Sequence, residues 1–245
     1  FELSENTTKY NRNNKKRLEG VVASMSRGPV QIGDQNGFSD VPLIMQSCTK
    51  GGRLLRPSQT VSAIDRYFLF LATKQNGPTG EVYSTHSEFV YIYLLSAGLL
   101  QNFELTISDV YHHQNQNGMI WNEFLAYEWN TSSKYYEFSQ SQNLLLTPNN
   151  LWTFQYFTFI PVDSDISNGW YLQGEIDKWI SVSPDRFQSI EMNSDGSIEV
   201  VAKGDLGEQI NVAFVNVNTL QQVIQSCVIG ESLVVTIRAP SFECA

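Results

Sequence analysis

Charge is scarce in this chain. Asp, Glu, Lys and Arg make up 17% of its 245 residues, against the usual quarter, and 16 basic residues face 25 acidic ones for a formal net charge of −9. Nucleic acids and anionic membranes need a basic surface. The single basic cluster, Lys15-Lys16-Arg17, is too short to provide one, which argues against general binding to either. Long hydrophobic runs are missing as well. The longest lies around Phe89–Leu95, far below the ~20 residues that span a bilayer. The chain has no Gly-x-Ser-x-Gly elbow, phosphate loop or dinucleotide fingerprint, which removes the chemistries those motifs carry. No repeat period and no low-complexity segment is evident.

Apolar side chains are plentiful, at 42% hydrophobic and 12% aromatic. That excludes disorder and is enough to bury roughly 70–75% of the unfolded surface in one large domain or two small ones. A polar, aromatic, low-charge composition suits extracellular β-rich proteins. The sequence starts at Phe1 without an initiator Met or an apolar signal core, so a mature or processed product is expected. Asn6-Thr7-Thr8 and Asn130-Thr131-Ser132 are acceptor sequons for N-glycosylation at Asn6 and Asn130, which together favour a secreted glycoprotein. Cys48, Cys227 and Cys244 are odd in number. In an oxidising compartment one thiol is then free or bonded to another chain. Cys227 and Cys244 are the disulfide candidates, closing a loop of about 17 residues worth roughly 3 kcal/mol, with Cys48 left as the free or interchain thiol. Three buried, unpaired thiols are the alternative.

Residues 1–14 are polar and Asn-rich and are expected to form a flexible N-terminal arm. Leu18, Val21, Val22 and Met25 then fall at i, i+3, i+4 and i+7, the stripe of a helix. Gly20 weakens that helix by up to ~1 kcal/mol but also permits close packing. Ser26-Arg27-Gly28-Pro29 stops it, and a short strand Val30-Gln31-Ile32 follows, closing at Gly33-Asp34. Ser39 is the expected N-cap of a second helix, with Asp40 in its first turn and Pro42 tolerated there. Val41, Ile44, Met45 and Cys48 repeat the same stripe up to a stop at Gly51 or Gly52.

Beyond Arg53 the pattern is β. The runs Val61–Phe70, Glu81–Ser84, Phe89–Leu95, Trp152–Ile160, Ser197–Ala202, Ile210–Val217, Gln222–Ile229 and Ser232–Arg238 are separated by turn signals such as Asn117-Gly118 and Asp195-Gly196. Ser197–Ala202 and Ile210–Val217 alternate, placing one face on a core, whereas Phe89–Leu95 is apolar throughout and reads as buried on both faces. The fold class is mainly β, an antiparallel sandwich over 53–245, preceded by a helix–strand–helix unit over 15–52. An isolated parallel strand cannot satisfy its neighbours. Either the β domain adopts this unit, or the unit completes a larger domain supplied elsewhere.

Two segments carry a resemblance. Arg27-Gly28-Pro29-Val30-Gln31-Ile32-Gly33-Asp34 between two helices, then Gly51-Gly52-Arg53-Leu54-Leu55-Arg56-Pro57-Ser58, resemble the exit from the catalytic barrel of retaining glycoside hydrolases related to α-galactosidases and raffinose synthases. Phe157–Val162 and Gly169–Glu175 are similar to consecutive strands of the C-terminal β domain in that family. The resemblance implies that residues 15–52 are the last helix–strand–helix of a (β/α)8 barrel, which needs about 250 residues by itself. The rest would come from a partner, an N-terminal barrel chain from the same precursor or a separate subunit. The family's two catalytic carboxylates lie on earlier strands, and no residue here matches them. Retaining hydrolysis needs both, about 5–5.5 Å apart, so this chain supplies no catalytic residue. It would place Asp34 and Gln35 at the substrate rim, where barrel sites sit. Asp34 merely closing a strand is the alternative.

The remaining candidates are plainer. His112-His113 and His86 lack metal-ligand spacing and read as loop or surface histidines. Asp163-Ser164-Asp165 before Asn168-Gly169 lacks the bidentate Glu of a calcium loop and reads as a polar turn. No metal or cofactor is implied. Trp121 and Trp129 are candidate glycan-stacking platforms in a loop-rich stretch, although a tryptophan in a sandwich is more often core. The leading reading is the non-catalytic C-terminal chain of a secreted glycosidase-like protein. Two other readings remain: a secreted non-catalytic binding or structural protein that keeps that architecture, and a free-standing lectin-like sandwich.

Overall fold

The computed structural model describes residues 5–29, 33, 37, 39–110, 122–129, 134–150, 153–162, 169–193 and 195–245, with side chains from Lys15 onward. Its helices are α1 (Glu5–Met25), α2 (Val41–Met45), α3 (Asp65–Thr73) and the one-turn α4 (Ile107–Val110). The first strands are β1 (Ser62–Ala63), β2 (Glu81–His86), β3 (Ile92–Ala97), β4 (Phe103–Leu105), β5 (Glu123–Glu128), β6 (Lys134–Ser139), β7 (Leu144–Leu146) and β8 (Gln155–Pro161). They are followed by β9 (Trp170–Glu175), β10 (Phe187–Met192), β11 (Ile198–Lys203), β12 (Gln209–Asn216), β13 (Gln221–Val228), β14 (Val234–Ala239) and β15 (Glu243–Cys244). The fold is mainly β, and the paired strands run antiparallel.

A six-stranded sheet in the order β1-β2-β3-β8-β5-β6 forms the middle of the molecule. Its central strands are buried on both faces, as the unbroken apolar run in β3 requires. Ile92, Leu94, Phe157 and Phe159 point into one core that the two-stranded sheet β4-β7 covers with Phe103, Leu105, Leu144 and Leu146. Tyr93, Leu95, Tyr156 and Ile160 point the other way, into a larger core. That core is shared with two further antiparallel sheets, β13-β12-β9 and β10-β11-β14-β15, whose alternating Val212, Phe214, Val200 and Ile237 meet there. Cys227 on β13 and Cys244 on β15 form a disulfide across these two sheets, while Cys48 is a buried free thiol.

The β body adopts the N-terminal helices. Val21 and Met25 on α1 are completely buried in the larger core, with Leu18 and Leu43 packed at its margin. Burial of each such side chain is worth about 1.5–3 kcal/mol. Helix α1 begins at Glu5 rather than near Lys15, so residues 5–14, expected as an arm, have helical backbone. A helix nucleated by its packed C-terminal turns extends at little cost into a polar segment. The expected strand Val30–Ile32 lies outside the described residues.

Three further expectations are corrected. Asp40, not Ser39, caps α2, because its carboxylate reaches the amide of Leu43 at 3.2 Å. The helix stops at Met45 instead of running to Cys48. The carbonyls that would continue it are taken by the β body: Lys178 Nζ donates to Met45 and Cys48, and the Trp179 amide to Gln46. The run Val61–Phe70 is not one strand. It divides into β1 and α3, with Asp65 in the helix's first turn, where the dipole favours a carboxylate, and Lys74 closing it in the left-handed region.

Candidate functional site

The most organised polar region joins residues 45–51 to the turns that follow β9 and β11. At its centre is Arg186, fully buried with Glu175 and Glu208. Its Nε donates to Glu175 Oε2 at 2.9 Å, while Nη1 and Nη2 donate to the two oxygens of Glu208 at 3.0 and 2.5 Å. Nη1 also reaches the Lys203 carbonyl at 2.7 Å. Glu208 passes the contact on by accepting from the amides of Lys50 and Asp205, both at 2.9 Å. Asp205 accepts from Thr49 Oγ1 at 2.8 Å and from the Gly51 amide at 2.7 Å.

Gly174 helps to place this cluster. Its φ of +104° accommodates the register shift between β9 and β12, and a Cβ there would lie 2.4 Å from the Ser181 carbonyl. The shift brings Glu175 inward.

Burial sets the electrostatics. It pushes the Glu175 carboxyl up from 4.5 to about 7, against the opposing pull of Arg186 and Lys178. Burial also acts to raise Glu208, but the Arg186 donors and the two amides outweigh it and hold the group below its usual value. Desolvation lowers Arg186, but bonds to both glutamates more than compensate and leave it above its ordinary value. Burial raises the nearby Cys48 thiol, with Lys178 opposing. The oxygens of Glu175 and Glu208 are engaged inside the cluster, so its chemistry is that of a clamp.

A second contact seats α1. The Trp129 and Trp179 rings lie 4.3 Å apart between centroids, and the Arg17 guanidinium sits 5.8 Å from the Trp129 centroid. Gly20 faces Trp179, where an added Cβ would meet Nε1 at 3.1 Å. Close approach is therefore the use of this glycine. A third polar group links β6, β9 and β13. Tyr135 donates to Gln173 Oε1 at 2.8 Å, and Gln222 Nε2 donates to that oxygen at 2.7 Å and to the Tyr135 hydroxyl at 3.1 Å.

Of the sequence-predicted residues, Trp129 is a half-buried partner of Trp179 and Arg17, and His86 stands on β2. Cys227 and Cys244 are bonded to each other. Asp34, Gln35, Trp121, Asn130, His112, His113 and the Asp163–Asp165 segment lie outside the described residues, as does the Asn6 side chain. Among the described residues no group of three or more His, Cys, Asp or Glu is placed to hold a metal, and no helix is long and apolar enough to cross a membrane. Sequence reasoning missed the Arg186 clamp. In a chain so poor in charge, Glu175 at the end of Trp-Tyr-Leu-Gln-Gly was the available signal. No protein-family model matches the chain, and none of the curated proteins compared with it does.

Proposed function

We propose that this chain is the non-catalytic C-terminal part of a secreted, glycosidase-like assembly. It closes and supports a carbohydrate-active (β/α)8 barrel supplied by a partner chain. The observation that carries this reading is the state of α2. Its sequence, Val-Pro-Leu-Ile-Met, is wholly apolar, yet none of its residues is buried, and Val41 is 59% exposed. Val22 on α1 is 45% exposed. These exposed apolar residues on adjoining elements support the reading of this face as an interaction surface. The inner faces of the same segment are held by the larger core and the Arg186 clamp, so the segment is presented rigidly. In this reading the partner barrel covers α1 and α2, Asp34 and Gln35 reach the rim of its sugar site, and both catalytic carboxylates belong to the partner. The Cys227–Cys244 disulfide supports an oxidising, extracellular setting.

Native purification followed by non-reducing gels and peptide sequencing tests the proposal. The expected result is a co-purifying polypeptide with barrel-type βα repeats. A single species of this chain's mass, with no partner, contradicts it. Glycan binding by this chain alone would instead favour the lectin-like reading, which likewise needs residues 15–50 to pack on the β body.

A further inference from the structure

Basic residues are concentrated on one helix. Helix α1 carries Lys9, Arg12, Lys15, Lys16 and Arg17 against Glu5 and Glu19, whereas the rest of the chain has 11 basic and 23 acidic residues. In the sequence only Lys15-Lys16-Arg17 are contiguous. Unbroken helical backbone from Glu5 joins Lys9 and Arg12 to them, and at 1.5 Å per residue the five cations fall within about 12 Å of helix. Arg12 stands three residues from Lys9 and Lys15 and four from Lys16. Like charges at these spacings on a helix work against it, and carboxylates supplied from outside relieve that repulsion.

The charge adjoins apolar surface. The Lys15 side chain is 62% exposed, and its pair with Glu19 at 4.0 Å is the weak kind formed in water. Lys15, Glu19 and Val22 follow at i, i+4 and i+7 and are all exposed, so they form one outward stripe, while Val21 and Met25 are buried. Helix α2 lies alongside, with Val41 exposed. An apolar patch with a charged margin is the anatomy of a protein–protein interface.

We propose that α1 is an electrostatic docking helix, whose occupant is a protein surface with an apolar centre and a margin of Asp or Glu carboxylates. The inference rests on the function proposed above, in which a partner chain covers α1 and α2, and adds the charge that the partner's contact surface carries there. The acidic balance of the whole chain does not oppose it. At physiological ionic strength the screening length is about 8 Å, so carboxylates seated on α1 are attracted by its cations and largely screened from acidic groups beyond that distance. Two other occupants are disfavoured. A nucleic acid running past the helix meets a remainder with twice as many acidic as basic residues. A second copy of this chain brings the same net charge of −9.

Association of the co-purifying partner with this chain, captured on a sensor surface, tests the inference at about 50 mM and about 500 mM salt. The wild type is expected to associate at least about tenfold faster at the lower salt, as steered encounters do. The triple change Lys9→Glu, Arg12→Glu, Lys15→Glu should slow association at least about tenfold at low salt, with dissociation little altered. Gln at the same three positions should fall between. Lys, Arg, Gln and Glu are similar helix formers, and equal circular dichroism of the variants separates lost charge from lost helix. An association rate indifferent to salt or to charge reversal overturns this inference alone and leaves the partner reading standing, as does capture of a DNA duplex with the same charge dependence. Absence of any partner overturns both.

Discussion

Glu175→Gln tests the Arg186 clamp by linkage. In the folded chain, burial raises the Glu175 carboxyl from 4.5 to about 7. The folded state therefore keeps a proton over that interval which the unfolded chain has released. The group's contribution to stability is fully present below about pH 4.5 and is lost as pH rises through 7, a change of about 3 kcal/mol. Glu208 is shifted the other way and works in the opposite sense towards acid, but it is present in both proteins and largely cancels in the difference. Gln keeps the carbonyl oxygen that accepts from Arg186 Nε and has no proton to lose. Relative to wild type, the variant should gain about 3 kcal/mol between pH 4.5 and 8. Urea unfolding followed by tryptophan fluorescence at three pH values measures this directly, since Trp179 is buried. A pH-independent difference, or one of the opposite sign, refutes the reasoning.

Other outcomes follow from the packing. Gly20→Val forces a branched side chain against Trp179 Nε1, where even a Cβ would lie at 3.1 Å. The expected loss is about 1–3 kcal/mol, read as a lower urea midpoint. The paired change Cys227→Ser and Cys244→Ser opens a link with a sequence separation of 17 and should cost about 3 kcal/mol, with wild type in reductant falling to the same midpoint. Cys48 is buried and its thiol is raised by that burial. A colorimetric thiol reagent at pH 8 should leave it untouched in the folded chain and titrate it in urea.

The strands were most legible where each residue's environment is decided locally. The run around Phe89–Leu95 could only be buried on both faces, and β3 is so buried. The alternation in Ser197–Ala202 appears as β11, with Ile198, Val200 and Ala202 inside. The stripe of Val21 and Met25 marked the buried face of α1. Local pattern failed where distant partners decide. Nothing near Met45 announces that Lys178, 133 residues away, will take its carbonyl and end the helix. The clamp likewise joins Thr49 to Asp205 across 156 residues. Val61–Phe70 misled for a different reason. Tyr67, Phe68, Leu69 and Phe70 have the composition of a strand, but Asp65 and the left-handed Lys74 set helix ends around them.

Under the proposed function, the outward faces of α1 and α2 receive a partner barrel. The most direct test is the double variant Val22→Asp, Val41→Asp, purified alongside wild type from the same source. Both side chains are exposed, so stability should change by no more than about 0.5 kcal/mol per site. Two carboxylates on an apolar interface should nonetheless strip away the co-purifying polypeptide. Loss of the partner with unchanged unfolding is the predicted result, and undiminished partner recovery would contradict the claim.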